Sequence, residues 1–476
     1  MDAISEILAH FNESYHNLHE HMREKGGVQY HRQSQEHKET IKREEQKRLM
    51  IKTRVIFLVL CLTLVITLIA GATMAADATV TIQYGFWGNP AAIGVEKDII
   101  DRFEYANPGI KVTPIAVGYA DYHPKMLTMI AGGQAPDVMR IDSYCFADFM
   151  KAKAFKDLGT LIRRDKIDLK WYYEAALGDC VSKGRYYGLP WASAPILMFL
   201  NKKMFKEAGI PIPSPDWKWD DFVSVLRGMR KGEGVTRQYG FDVGTTSYNG
   251  ILPFVWGVGG DLFDKDRKKF TLDSPEAVKR IQELADLVKQ GLLADPAEFA
   301  ATGVGSRMFF TNKLAMKHDS VSFLINAIQV EGLEWMALPF PSGDKTSQTT
   351  INKANVVGIA VSTKNLGAAW TFLKFLRGPG GAGERLYMKA KRMPPTGDDP
   401  EMWELYSAGG AVQNVPEIVK LVNRKYAHTL PLVAGWTEIE STIVPQLQRI
   451  FSGQITAEAG MKEIAPKVQS ILDRNK

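Results

Sequence analysis

Strand-like and helix-like stretches alternate through the part of the chain that begins near residue 79. Residues 79–88 and 110–117 are rich in β-branched and aromatic side chains, which is typical of strands. Between residues 95 and 103 apolar side chains recur every four positions, as on one face of a helix. A second helix candidate at 122–130 and a third strand candidate at 137–141 follow. This alternation predicts an α/β fold in which helices cover largely parallel sheets.

Length and charge narrow the kinds of protein that the chain can be. A chain of 476 residues exceeds what one hydrophobic core usually supports, so we expect two compact units. The net charge of +6 is mild, and the basic residues are interleaved with acidic ones, which predicts no nucleic-acid partner. The sequence has no Gly-x-Ser-x-Gly elbow, His-Glu-x-x-His motif or phosphate loop. We therefore expect no enzyme activity and no cofactor.

One glycine-rich stretch matches a nucleotide-binding pattern in its glycine spacing alone. Residues 378–383 fit Gly-x-Gly-x-x-Gly, but they follow a helical run at 368–376 instead of a strand, and Pro379 lies among them. A loop at the end of a helix is the better interpretation. Cys145 and Cys180 either form a disulfide in an oxidising compartment or remain buried thiols.

The first 76 residues have the composition of a targeting segment. Residues 51–54 are partly basic, 55–70 are apolar, and small residues follow, as in a secretory signal peptide. We predict a signal peptide at 50–76 with translation starting at Met50, and a non-native or disordered extension at 1–49. The alternative is a cytoplasmic tail followed by an uncleaved anchor at 55–70. Cys61 lies inside the apolar run, so we do not expect a lipoprotein.

Several segments of the sequence resemble segments found in the family of extracellular solute-binding proteins of sugar importers. The two most specific matches are Phe-Glu-Tyr-Ala-Asn-Pro-Gly-Ile-Lys-Val at 103–112 and Gly-Gly-Gln-Ala-Pro-Asp-Val at 132–138. Further matching segments follow in the family's order at 187–191, 199–210, 312–320, 357–364 and 430–439. The resemblance therefore extends along the whole chain after the targeting segment.

The resemblance implies a two-lobed periplasmic-binding-protein fold, in which each lobe is a sheet covered by helices. The hinge would be crossed near Ser193, Val356 and Pro394, which gives lobe 1 as 77–193 with 357–394 and lobe 2 as 194–356 with 395–476. It also implies a monomer in the periplasm that binds a sugar in the cleft and delivers it to the membrane permease of an ABC importer. Binding would then proceed by closure of the hinge.

A sugar offers flat patches of C–H bonds and a rim of hydroxyl groups, so its receptor needs aromatic faces and fixed polar groups. Asp142 and Tyr144 directly follow the third strand, at the edge where open α/β sheets place ligand contacts. By resemblance, Asp319 ends a strand that faces inward, and Arg392 lies near the third crossing. The tryptophans that we expect in or beside loops are candidates for stacking: Trp87, Trp191, Trp256 and Trp436.

Three alternatives remain open at this point. The same fold can bind a polyamine, iron or a phosphate ester, and the pairs Tyr172–Tyr173 and Tyr186–Tyr187 are of the type that an iron site uses. A periplasmic carbohydrate-active enzyme would need two carboxylates, for which Asp319 and Glu438 are available. A receptor anchored by residues 55–70 is the third alternative.

Overall fold

The computed structural model describes Lys42, Met50 and residues 79–475, except 89, 234–235, 245–246, 297–303, 345–347, 391–392 and 430–432. Contacts within the chain separate Met1–Ala78 from a second compact unit, Thr79–Lys476. The predicted signal peptide and the preceding extension lie outside the described residues, apart from Lys42 and Met50. Within the described part of the chain, no helix is long and apolar enough to cross a membrane.

The strands are β1 (Val80–Trp87), β2 (Ile110–Val117), β3 (Val138–Ile141), β4 (Val181–Ser182), β5 (Arg185–Tyr186), β6 (Leu189–Pro190), β7 (Ile196–Asn201), β8 (Tyr239–Asp242), β9 (Leu314–Ser320), β10 (Trp335–Leu338), β11 (Thr350–Asn352), β12 (Val356–Ile359) and β13 (Ala427–Thr429).

The helices of the first half are α1 (Pro90–Ala106), α2 (Tyr119–Ala131), α3 (Phe146–Lys151), α4 (Gly159–Arg164), α5 (Glu174–Gly178), α6 (Lys202–Ala208), α7 (Trp219–Met229) and α8 (Leu252–Gly257). Those of the second half are α9 (Pro275–Lys289), α10 (Val304–Phe310), α11 (Leu324–Ala327), α12 (Leu366–Arg377), α13 (Ala382–Lys389), α14 (Pro400–Ser407), α15 (Val415–Lys425), α16 (Trp436–Phe451) and α17 (Ala457–Arg474).

The first sheet has the order β2-β1-β3-β12-β6. Strands β1, β2 and β3 are parallel, and their register aligns Trp87 with Val117 and Tyr84 with Val138. Strand β12 is antiparallel to both of its neighbours. The carboxyl ends of β1, β2 and β3 therefore lie at one edge of this sheet. The three strands predicted near the start of the fold are confirmed, with bounds that differ by one or two residues at most.

The second sheet has the order β10-β7-β9-β8. Strands β8 and β9 are parallel, and β7 runs against β9 so that Ile196 is opposite Ser320. The carboxyl ends of β8 and β9 consequently lie at the edge where β7 begins. Strand β7 begins directly after the passage from the first sheet, so this edge adjoins the connection between the two sheets.

Helices cover both sheets because each presents an apolar face to a core. Helix α12 packs on β12 and β1, and α1 packs on β2, whereas α9, α16 and α17 pack together beside the second sheet. Helix α9 begins as its Ser-Pro sequence favours, since the Ser274 side chain accepts a hydrogen bond from the backbone N–H of Ala277 and Pro275 is the first helical residue. The glycine-rich stretch follows the end of α12, as predicted for a loop that ends a helix.

Two backbone passages connect the sheets side by side. Trp191 N–H donates to the carbonyl of Asn355, and Ala192 N–H donates to that of Ala354. The predicted lobe limits stay a prediction. Near Pro394, where the third hinge crossing was predicted, the chain does not move from contacts with the first sheet's helices to contacts with the second. Helix α14, beyond that point, still packs against α13 on the side of the first sheet.

Candidate functional site

The carboxyl ends of three parallel strands bring an aromatic group and a carboxylate together. Trp87 ends β1, Tyr119 follows β2, and Asp142 follows β3. The Tyr119 hydroxyl donates to Asp142 Oδ2 at 3.1 Å and lies 3.1 Å from the Tyr144 hydroxyl. Asp142 is 4% exposed, whereas Tyr119 is 48% exposed. The cluster thus has a buried acceptor at its base and an aromatic side chain at its rim.

Asp142 retains capacity to accept a further hydrogen bond. Its Oδ1 atom is buried and has no hydrogen-bond partner among the residues that the structure describes. Lys353, from the passage before β12, places its Nζ 3.8 Å from this atom and 5.8 Å from the Tyr144 ring centroid. Because 3.8 Å is too long for a hydrogen bond, the ammonium group balances the charge of Asp142 without bonding directly to this oxygen.

His123 supports the cluster from below in its neutral form. Its Nε2 accepts the backbone N–H of Asp142 at 3.0 Å, and burial lowers the pKa of His123 to about 4. The imidazole is therefore uncharged at neutral pH. Its ring centroid lies 5.2 Å from that of Trp87 and 5.9 Å from that of Tyr144. Aromatic contacts at these distances fix the relative positions of the rings.

Trp191 lies beneath this cluster instead of at its surface. It is 4% exposed, and its ring centroid is 4.3 Å from the Arg140 guanidinium carbon, which also lies 4.2 Å from the Trp87 ring centroid. The sequence predicts that Trp191 contacts the ligand directly. This stays a prediction, and the burial of the Trp191 side chain argues against it.

Hydrogen bonds connect the cluster to the passage between the sheets. The hydroxyl of Ser143 donates to Asp179 Oδ2 at 2.6 Å and accepts the backbone N–H of Asn355 at 2.9 Å. Asp179 also accepts the backbone N–H of Ala354 at 2.9 Å, and burial raises the pKa of Asp179 to about 7. The segment that carries Asp142 and Tyr144 is therefore bonded directly to the connection between the lobes.

The second sheet contributes Asp319 at the carboxyl end of β9. Its Oδ2 pairs with Lys317 Nζ at 3.1 Å, and both side chains retain some exposure. Next to it, His318 Nδ1 donates to the carbonyl of Asp242 at the end of β8, and burial lowers the pKa of His318. A Cβ at Gly244 would lie 2.7 Å from the His318 ring, so glycine is needed for this close approach.

Trp256 forms a second aromatic group, on α8. Its Nε1 donates to Asp261 Oδ1 at 2.8 Å, and its ring centroid lies 5.2 Å from that of His428 on β13. Burial raises the pKa of Asp261 and lowers that of His428. Trp256 is the last residue but one of this short helix, beside the loop that follows, and its side chain is partly exposed.

One described residue that was predicted to bind ligand joins neither group. Trp436 begins α16, is 2% exposed and packs in the core beside Phe263, with ring centroids 6.4 Å apart. It lies where a loop passes into a helix, as predicted, and its contact with ligand stays a prediction that its burial argues against. Arg392 lies outside the described residues.

The structure adds Tyr119, His123 and Lys353 to the residues that the sequence indicated. Tyr119 and His123 are the first and fifth residues of α2, which begins two residues after β2 ends. The rule that places Asp142 at a carboxyl strand edge applies equally to the segment after β2, and it would have identified Tyr119. Lys353 could not be found in this way because it reaches Asp142 from 211 positions away in the sequence.

The site's chemistry is that of binding. Buried carboxylate oxygen, tyrosine hydroxyls and an indole face can accept, donate and stack, which suits a hydroxylated ring compound. Within the described ranges, no group of three or more His, Cys, Asp or Glu side chains is placed to hold a metal ion.

Cys145 and Cys180 are free and buried, so the thiol alternative is the one observed. Burial raises the pKa of both thiols.

Comparison with known proteins gives consistent relatives. A family model described as bacterial extracellular solute-binding protein matches residues 90–383. A binding protein of Brucella abortus is 25% identical over 79% of this chain and 90% of its own length. The sn-glycerol-3-phosphate-binding periplasmic protein of Pectobacterium atrosepticum is 23% identical over 85% of this chain and 95% of its own.

A solved structure shows the same architecture. The ABC substrate-binding protein of Listeria monocytogenes, determined in complex with cycloalternan, aligns with a TM-score of 0.73 at 23% identity, over 83% of this chain and 99% of that one. The similarity confirms the predicted α/β fold with two lobes, to which the two sheets correspond.

Proposed function

Because the chain belongs to the bacterial extracellular solute-binding protein family, we propose that it binds a saccharide between its two lobes and delivers it to an ABC importer in the membrane. The observation that carries this proposal is the cluster of Trp87, Tyr119 and Tyr144 around the buried Asp142 carboxylate. Saccharides are recognised by stacking on an aromatic face together with hydrogen bonds to fixed oxygens. The cycloalternan complex of the Listeria protein, which shares the fold, supports a saccharide ligand.

The contacts in the first lobe support a proposed role for each of its site residues. Trp87 supplies a face for the sugar ring, Asp142 Oδ1 accepts a hydroxyl hydrogen, and the tyrosine hydroxyls bond further ligand oxygens. Lys353 keeps the site close to neutral, which favours an uncharged ligand over a phosphate ester. Of the second lobe, Asp319 and Trp256 are the candidates for contacts that complete the site.

Binding is coupled to closure of the lobes. A ligand that contacts both lobes stabilises the closed arrangement by its higher affinity for that arrangement. Ser143 and Asn355 transmit this coupling, since their reciprocal bonds tie the ligand-contacting segment to the backbone passage between the sheets. The importer would then recognise the closed form.

The remaining aspects of the proposal concern location and chemistry. We place the protein outside the cytoplasmic membrane, as a monomer that needs no cofactor. We also propose that it binds no nucleic acid and catalyses no reaction. The carboxylate pair considered for catalysis is poorly suited to hydrolysis, because Glu438 is 56% exposed in its side chain and pairs with Arg474 at 2.7 Å. That interaction is the one expected of a surface helix.

The test is thermal unfolding of the protein in the presence of individual compounds. A panel of neutral mono- and oligosaccharides, including cycloalternan, is compared with sn-glycerol 3-phosphate, spermidine and ferric citrate. A ligand that binds only the folded state raises Tm, by several degrees when it is in large excess over Kd. We expect a shift with a neutral saccharide that is lost in Trp87→Ala.

Trp171→Ala is the matched control, because Trp171 is also partly exposed and also packs on the side of the first sheet. It should lower Tm without abolishing the saccharide-induced shift. A shift produced by spermidine, iron or the phosphate ester, with none from any saccharide, would reject the proposed ligand class.

A further inference from the structure

A buried ion pair lies directly under the proposed stacking platform. Arg140, in the middle of β3, and Glu96, on α1, are each 1% exposed and pair through Nη1 and Oε1 at 2.7 Å. Arg140 also donates from Nη2 to the carbonyl oxygen of Trp87. The hydroxyl of Tyr387 donates to the second oxygen of Glu96. Each charge therefore has a fixed partner, and the guanidinium plane is held in position.

The same guanidinium is stacked between two indole rings. Its central carbon lies 4.2 Å from the centroid of Trp87 and 4.3 Å from that of Trp191, distances at which cation–π attraction is effective. Trp191 is buried and is held in turn by Tyr387, whose ring centroid is 5.4 Å away. Trp87 is only partly buried; Tyr122 and His123 also contact its ring, with centroids 5.3 and 5.2 Å away, and Arg140 is the charged group that lies over the ring.

We propose that Arg140, held by Glu96, is a positioning residue that fixes the plane of the Trp87 indole and so prepares the platform for its ligand. The proposal rests on the proposed function for the role of Trp87, but the positioning itself requires no ligand. A fixed ring loses little rotational freedom when a ligand stacks on it, which increases affinity. A buried pair that served packing alone could be replaced by apolar side chains without cost to the site.

The chain offers a matched control for this proposal. Arg377 is also fully buried, lies 3.7 Å from Glu384 and has its guanidinium 5.5 Å from the Tyr387 ring centroid. Its Nε donates to the carbonyl of Pro190, away from Trp87. Arg140→Lys and Arg377→Lys therefore remove the same planar group from equally buried positions, and only the first removes it from the indole of Trp87.

The experiment measures how readily acrylamide, a neutral quencher, reaches Trp87. Each protein is compared with its own Trp87→Phe counterpart, and the difference between the two gives the fluorescence of Trp87 alone. We expect Arg140→Lys to raise the quenching constant of Trp87 about twofold, because the ring samples other rotamers. Arg377→Lys, which can act on Trp87 only through Tyr387 and Trp191, should change it much less while lowering Tm by a similar amount.

If Arg140→Lys does not fold, the double variant Arg140→Met with Glu96→Gln removes both buried charges together and is expected to fold. It should show the same increase in quenching. An unchanged quenching constant in whichever variant folds would overturn the proposal. This result would be independent of ligand identity, so it can be told apart from a failure of the saccharide proposal.

Discussion

Replacement of Asp142 by Asn tests the acceptor at the base of the aromatic cluster. The substitution keeps the shape and one acceptor oxygen, so the 3.1 Å bond from the Tyr119 hydroxyl can remain. It removes the charge and puts an NH₂ group on one side of the amide. In the orientation that keeps the Tyr119 bond, this group faces Lys353 and can no longer accept a ligand hydroxyl.

The magnitude follows from the bond that is lost. A hydrogen bond to a charged group contributes about 1.5 to 3 kcal/mol. At about 1.4 kcal/mol per tenfold change, Kd should rise about 10- to 150-fold. The assay is isothermal titration calorimetry with the saccharide that gives the largest rise in Tm.

Asp137→Asn is the matched control, because Asp137 precedes the same strand at its opposite end and accepts the backbone N–H of Gln83 at 2.8 Å. This variant should lose stability and retain affinity. A Kd for Asp142→Asn within twofold of the wild-type value would refute the reasoning that Oδ1 receives a ligand hydroxyl.

Three further predictions concern stability and affinity. Because the folded-state pKa of Asp179 is about 7 and that of an unfolded Asp is about 4, only the folded state holds this proton between these values. The free energy of unfolding should therefore fall as pH rises through that window, by up to about 4 kcal/mol. Urea unfolding midpoints measured at pH 5 and pH 8 should differ less in Asp179→Asn than in the wild-type protein. Trp436→Ala should cost about 3 to 5 kcal/mol in urea unfolding, since the side chain is buried, with Kd unchanged; a large loss of affinity at full stability would restore its predicted binding role. Tyr119→Phe should raise Kd about threefold to tenfold by calorimetry, because it removes one neutral hydroxyl, and should lower Tm, because it takes this donor from the buried Asp142 Oδ2; equal affinity would remove Tyr119 from the site.

Local patterns are sufficient to predict the three parallel strands of the first sheet, but not its antiparallel strands β12 and β6. The strand predicted at 110–117 has its observed bounds, because β-branched residues between two turn signals leave few other conformations. The helix at 275–289 is predicted by its Ser-Pro start and its apolar face for the same reason. Such signals are carried by neighbouring residues and can be read directly from a sequence.

The site is only partly predictable, since it is built by contacts between distant segments. Asp142 and Tyr144 can be found because a strand end is a local feature. The burial of Trp191 and Trp436 depends on which elements pack over them, and tryptophan is as common in cores as in ligand sites. The link between Ser143 and Asn355 joins residues 212 positions apart and has no local signal.

A crystal structure of the complex with the saccharide selected by thermal unfolding tests most directly whether a saccharide binds at the Trp87 and Asp142 cluster between the lobes. We expect a sugar ring stacked on Trp87, with a hydroxyl within hydrogen-bond distance of the Asp142 carboxylate and with contacts from the second lobe. Density for the saccharide elsewhere, with Trp87 and Asp142 exposed to solvent, would contradict it.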